Sequence, residues 1–355
     1  MKYNFNLEIG GIVLIQVKNI SKRYGDHFAV KGISFHIERG KIYGLLGANG
    51  AGKSTTMNII TGCLSATDGQ VTIDGKDILS EPIEAKKKIG YLPEIPPLYT
   101  EMTPLEYLTF VAEAKGVPPE LTARQVKEAL SLTGTDAVAD RLIRNLSKGY
   151  KQRVGIAQAL LGNPEVIILD EPTVGLDPKQ MIEIRNLIKE LGKTKTVIVS
   201  SHILSEISAI CDHVMIISHG RLVANDSIKN LETSTNEERK LLLTVRGDEQ
   251  KAISLLQALE GVTNLSPEVK NMTGTCRFSI SFVEDNDPRE TIFYTFAEHK
   301  MPIMDMTTNH VTLEDIFLRL TAEPFFEEEE PCENHIEETS DYIPQFTAER
   351  EEENE

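Results

Sequence analysis

The residues best suited to chemistry start at Gly47, where Gly47-Ala48-Asn49-Gly50-Ala51-Gly52-Lys53-Ser54-Thr55 matches the pattern GxxxxGK[ST]. Glycines at 47, 50 and 52 let backbone wrap closely around phosphate oxygens, so amide donors and a helix N-terminus converge on negative charge. Lys53 supplies a mobile cation for β- and γ-phosphates, and the Ser54 hydroxyl is the expected ligand of Mg²⁺. Further along, the apolar run from Val166 to Leu169 ends in Asp170 and Glu171. Carboxylates at the C-terminal end of a buried strand lie in the crevice where α/β sheets bind ligands. Asp170 is expected to hold the Mg²⁺ shell. Glu171 is expected to polarise an attacking water, a general-base role worth about 10²- to 10⁴-fold in rate.

The elements that must place these groups follow from periodicity. The strand KIYGLL precedes the glycine loop, and a helix begins at Lys53. Residues 14 to 75 read as short strands broken by glycine turns, and Pro104 to Leu161 reads as an inserted helical region with apolar residues three and four apart. One of its helices is placed near Lys151. Buried-type strands then alternate with helices (EVIILD, PKQMIEIRNLIKELG, TKTVIVSS, ILSEISAIC, HVMIISHG), which argues for a parallel α/β sheet. From Glu238 to Thr321 the order becomes strand, helix, two strands, helix, strand, helix, suggesting a small ferredoxin-like α+β domain. The expected division is an N-terminal extension over 1–13, a nucleotide-binding domain over 14–236, an accessory domain over 237–322 and an acidic, disordered tail over 323–355. The extension reads equally as an upstream-assigned start.

Charge narrows the partners. The formal net charge is -17, but residues 323–355 hold 14 acidic groups against Arg350 alone. The remainder is 40 acidic against 36 basic, which leaves no basic footprint for nucleic acid or an anionic bilayer. Cys63, Cys211, Cys276 and Cys332 form no CxxC pair, so neither a zinc site nor a disulfide framework is suggested. Every apolar run is far shorter than the roughly 18 to 20 residues that span a bilayer.

With those motifs in order, the chain resembles an ATP-binding cassette (ABC) ATPase from Leu14 to about Leu231. The resemblance implies a P-loop core with an antiparallel β subdomain and an inserted α-helical subdomain. Leu146-Ser147-Lys148-Gly149-Tyr150 resembles the signature loop, usually LSGGQ, which in this family covers the γ-phosphate bound by a second copy. Ser147 and Gly149 therefore imply a head-to-tail dimer enclosing two ATP. Gly175-Leu176-Asp177-Pro178 is similar to the D-loop, with Asp177 reaching across that seam. His202 matches the switch histidine near the γ-phosphate, and Tyr24 the aromatic that stacks on adenine. Two positions depart from the pattern. Glu94 stands where relatives carry glutamine and is expected to take the coupling role near Mg²⁺. Lys148 lies inside the signature loop, either contacting phosphate or solvated.

Both departures, with Thr312 to Leu318, resemble ATPase subunits of type-2 exporters of the multidrug and gliding-motility kind. The implied protein is an ATPase using ATP and Mg²⁺, peripheral on the cytoplasmic face of the membrane through a separate integral membrane permease. The rival reading is a soluble non-transport ABC ATPase acting on ribosomes or DNA. A single cassette without sustained heptads or a basic patch speaks against it.

Overall fold

A computed structural model of the chain describes residues 12–234, 239–259, 262–271, 274–282, 287–309 and 313–322. The expected extension over 1–13, all but its last two residues, and the acidic tail over 323–355 lie outside them. No described helix is long and apolar enough to cross a membrane.

Two long strands open the chain, β1 (Val13–Tyr24) and β2 (His27–Glu38), followed by the short, wholly buried β3 (Ile42–Leu46). Helix α1 (Lys53–Ile60) leads to β4 (Asp68–Ile73) and β5 (Lys76–Asp77), then α2 (Pro82–Lys87) and β6 (Ile89–Leu92). The helical insertion contains α3 (Pro104–Ala114), α4 (Pro119–Thr133) and α5 (Lys148–Leu160). Next come β7 (Val166–Leu169), α6 (Pro178–Gly192), β8 (Thr196–Ser201), α7 (Leu204–Ile210), β9 (His213–Ser218), β10 (Arg221–Ser227) and α8 (Ile228–Ser234). The rest is β11 (Arg239–Arg246), α9 (Glu249–Gln257), β12 (Val262–Asn271), β13 (Thr275–Phe282), α10 (Arg289–Glu298), β14 (Ile303–Asn309) and α11 (Leu313–Ala322).

The central sheet has the order β10-β9-β3-β8-β7-β6. Its five strands from β9 to β6 are parallel, and β10 closes one edge antiparallel to β9. Sequence reading did not include β10, whose run RLVANDS is too polar to resemble a buried strand; as an edge it needs only one partner. Strand parity sorts the core. Val166, Ile168 and Ile198 face the antiparallel sheet β2-β1-β4-β5 and α1, while Ile167, Leu169, Val197 and Val199 face α6 through Ile184, Leu187, Ile188 and Leu191. Both faces are covered, which is why β7 and β8 read as unbroken apolar runs.

The helical insertion has its own core around Tyr107, Leu108, Val126, Leu130, Val154 and Ala157. Its first helix starts at a capping box: Glu106 N donates to Thr103 Oγ1 at 3.2 Å, and Thr103 N donates to Glu106 Oε2 at 2.9 Å. Beyond it, β11 to β14 form a four-stranded sheet ordered β12-β13-β11-β14, every neighbour antiparallel, packed on α9 and α10. The final helix departs from expectation. Placed by sequence at the end of the accessory domain, α11 packs Leu313 beside Leu46, Val214 and Ile216 of the central sheet and Ile207 of α7. Leu313 is buried there, with Phe317 and Leu320 of α11 packed against the same cluster.

Candidate functional site

Strand β3 delivers the glycine loop to the N-terminus of α1. Gly52 is the cap, with φ 108°, and a Cβ at that position would meet the Ala29 carbonyl oxygen at 2.6 Å. Only glycine fits both the left-handed backbone and the close approach. Lys53 is the first helical residue and only 6% exposed. Its ammonium donates to the carbonyls of Gly47 at 2.9 Å and Ala48 at 3.3 Å, and lies 3.5 Å from Glu171 Oε1. Ala51 is buried beneath the loop, its N–H on the Ala48 carbonyl at 3.1 Å.

The carboxylates come from the end of β7. Asp170 and Glu171 are both buried, and Glu171 takes φ 47°, a left-handed conformation costing a non-glycine residue about 1 kcal/mol or more. Side chains beyond the strand end hold it there. Parallel register sets Leu169 beside Val199, so the next residues of the two strands also meet. Ser200 Oγ donates to Asp170 Oδ1 at 2.5 Å and accepts the Glu171 N–H at 2.8 Å. His202 Nδ1 then lies 2.9 Å from Glu171 Oε2. Glu171 thus stands between the lysine and the histidine, one oxygen toward each. Beside Asp170, the Tyr91 phenol donates to Asn58 Oδ1 at 3.0 Å, and burial first, then the Asp170 charge, pushes its proton affinity up.

These groups open on a cavity of about 380 Å³ lined by Ala29, Asn49, Gly50, Gly52, Lys53, Ser54, Thr55, Glu94, Glu171, Val174 and His202. Nine of these eleven were predicted from sequence. Gly47, Ala48 and Ala51 support the loop rather than line it, and Asp170 sits behind, engaged by Ser200. Tyr24, half exposed at the end of β1, does not line it either; the Lys22 ammonium lies 5.4 Å from its ring centre. A hollow of equal volume beside α4 and Leu160, also about 380 Å³, gathers none of the predicted residues.

The signature-like loop and Asp177 stand apart from the cavity. Helix α5 begins at Lys148, three residues before the expected start, because exposed Ser147 caps it and accepts the Tyr150 N–H at 3.4 Å. Gly149 is buried in that first turn, where a Cβ would come 2.6 Å from the Gln180 amide. The Lys148 ammonium lies over Gly175, occupying the space a side chain there would need. Asp177 caps α6 by accepting the Gln180 N–H at 2.9 Å. In a single chain, therefore, Lys148 contacts the loop leading to Asp177.

Sequence reading missed Ser200, Ser201, Thr173 and Glu206. Thr173 Oγ1 donates to Glu206 Oε2 at 2.7 Å and Ser201 Oγ donates to the same oxygen at 3.2 Å. The signal that could have found them is position alone, since each lies within four residues of Glu171 or His202.

Residues 30–174 match the family model described as ABC transporter. The chain is 32% identical over 310 residues to the linearmycin resistance ATP-binding protein LnrL of Bacillus subtilis (strain 168), covering 87% of this chain and 98% of that protein. It is 34% identical over 309 residues to the bacitracin transport ATP-binding protein BcrA of Bacillus licheniformis, covering 86% and 97%. Among solved structures it is similar to a dimeric ATP-binding cassette in a post-hydrolysis state bound to ADP and phosphate. There the TM-score is 0.55 and the identity 28%, over 60% of this chain and 98% of that one.

Proposed function

Because the chain belongs to the family of ABC transporter ATP-binding proteins, and so is the ATP-binding and ATP-hydrolysing subunit of an exporter-type transporter, we propose that two copies work head to tail. Each copy closes Ser147 to Gly149 over the nucleotide held by Gly47 to Thr55 of the other. One observation carries this reading: the cavity gathers the phosphate loop, Glu94, Glu171 and His202, yet Ser147, Gly149 and Asp177 stay outside it. A single chain supplies half of the expected contacts. The dimeric cassette among the similar structures supports the pairing.

In the closed pair, Lys53 leaves Glu171 for the phosphates, and Tyr24 stacks on the adenine. Glu171 takes a proton from the water whose oxygen bonds to the γ-phosphorus as the bond to the β-phosphate bridging oxygen breaks. His202, already hydrogen-bonded to Glu171, orients that carboxylate. The hydroxyl of Ser54 and the carboxylates of Asp170 and Glu94 are hard oxygen donors beside the loop, a set that fits Mg²⁺. Magnesium ions hold several waters and take one or two protein carboxylates plus phosphate oxygens, and neutralise phosphate charge. Asp170 would have to exchange its bond with Ser200 to take part.

The permease docks beside Glu94. Ile95 is 81% exposed, and Tyr99 and Phe110, also exposed, meet at a tilt with ring centres 5.5 Å apart. That apolar surface borders both the nucleotide cavity and the helical insertion, so closure and docking share a loop. The chain then acts at the cytoplasmic face, held to the membrane by its partner. Residues 14–236 serve as the motor and 237–322 as a regulatory or dimer-supporting addition. The names of the relatives favour transport over a role on ribosomes or DNA.

Ser147→Arg tests the pairing. Glu171→Gln protein with MgATP is expected to elute as a dimer. The double variant is expected to bind ATP with similar affinity but remain a monomer; a double variant that still dimerises refutes the head-to-tail arrangement.

A further inference from the structure

Glu206 lies in the first turn of α7, is not among the residues lining the nucleotide cavity, and is only 3% exposed. Its Oε2 accepts two hydroxyl donors, from Thr173 and Ser201, while its Oε1 is buried with no hydrogen-bond partner. Among the described residues no lysine, arginine or histidine pairs with it. A half-satisfied carboxylate inside a protein is unfavourable, and an apolar side chain of similar volume would serve stability better. Its donors explain its presence. Thr173 is two residues beyond Glu171, and Ser201 immediately precedes His202.

The backbone cannot do this work. The β7 and β8 ladder ends at Leu169 and Val199; β8 stays paired with β3 through Ser201, but the segment carrying Glu171 has no ladder bond to β8. Two side-chain bridges replace the missing ladder. Ser200 ties β8 to Asp170 and to the Glu171 N–H. Glu206 supplies the second bridge on the other side of Glu171, joining Thr173 to Ser201. Ser201 Oγ also accepts the Ile203 N–H at 3.0 Å, so the turn carrying His202 is held at both ends. The 2.9 Å contact between His202 and Glu171 is what the two bridges together maintain.

We propose that Glu206 is a positioning residue for ATP hydrolysis: by accepting the hydroxyls of Thr173 and Ser201 it locks the Glu171 loop to the His202 loop. The proposal rests on the reading of Glu171 as base and His202 as its partner. It requires an acceptor at Oε2, not a charge. Glutamine keeps that acceptor, whereas leucine removes it at similar volume.

The test compares purified wild-type, Glu206→Leu, Glu206→Gln, Glu171→Gln and His202→Ala chains by steady-state phosphate release and by calorimetric ATP affinity. Glu206→Leu is expected to lower kcat by about 10- to 100-fold, the scale of a small misplacement of reacting groups. Its KM and ATP affinity should stay within about twofold of wild type, since the phosphate loop does not touch Glu206. Glu206→Gln should recover most of the lost kcat. A merely structural role predicts instead that leucine leaves kcat intact or lowers affinity and melting temperature together with it. Should Glu206→Leu not fold, Thr173→Val removes one of its two bonds without touching the Ile203 N–H bond to Ser201 and is expected to lower kcat in the same way, by less, with affinity unchanged. Normal turnover in the leucine variant, or failure of glutamine to rescue, overturns the proposal. If Glu171→Gln and His202→Ala also turn over normally, the underlying reading of the site fails rather than the role of Glu206 alone.

Discussion

Replacing Glu171 by glutamine should move hydrolysis and affinity in opposite directions. Glu171 Oε1 is 3.5 Å from the Lys53 ammonium, with both side chains over nine-tenths buried. At an effective dielectric of about 20, two unit charges at that distance attract by about 5 kcal/mol. Desolvation of a buried pair offsets most of that gain. ATP must break the pair to recruit the lysine, so the attraction opposes binding. Glutamine removes the charge but keeps the shape, leaving Lys53 on the carbonyls of Gly47 and Ala48. If a quarter of the attraction survives desolvation, affinity for ATP should rise by about tenfold. Loss of the base should meanwhile lower single-turnover hydrolysis by about 10²- to 10⁴-fold. The chain has no tryptophan, so calorimetry or a fluorescent nucleotide is the suitable affinity probe. Weakened binding alongside slowed turnover would refute the competition between Glu171 and phosphate for Lys53. Unchanged turnover would refute the base.

Thr103→Ala removes the side-chain half of the capping box of α3, leaving only the backbone N–H of residue 103 on Glu106, and should destabilise the chain by about 1 kcal/mol, read as a lower urea midpoint at unchanged slope. Histidine 213, whose Nε2 meets Asn225 Oδ1 at 2.9 Å, is held by burial below its ordinary value of 6.5. The unfolded chain therefore takes up a proton before the folded one, and stability present above that pH is lost as pH falls below it. His213→Gln should flatten the decline in melting temperature between about pH 6.5 and 5; an unaltered profile would show that the decline belongs to other groups.

Legibility of the site from sequence depended on how each contact is made. Residues proposed to touch nucleotide directly are of particular types at particular spacings: three glycines, a lysine and two hydroxyls in one loop, then paired carboxylates after an apolar strand. Such constraints survive as motifs. Burial patterns were legible for the same reason, since β7 and β8 are covered on both faces and carry nothing but apolar residues until their ends. Edge strand β10 and helix α11 were not, because neither has a local signature of its destination. The apolar face of α11 suits either the small sheet or the cassette, and only tertiary packing assigns Leu313 to the latter.

The residues that fix distances within the site escaped for a different reason. Ser200, Ser201, Thr173 and Glu206 are ordinary types; the bonds of Ser200 to Asp170 and Glu171 and of Thr173 to Glu206 span about thirty positions in sequence and are brought together by the parallel pairing of β7 with β8. A one-residue slip of that register would leave every motif intact in the sequence yet separate Ser200 from Asp170 and Thr173 from the donor set of Glu206. It would also exchange the residues that fill the two hydrophobic cores on either side of the sheet, whose packing opposes it. The same burial that makes β7 and β8 invisible to chemistry therefore sets the 2.9 Å separation between Glu171 and His202. Substitutions in those strands, far from any nucleotide atom, should act on kcat through that separation before they act on affinity.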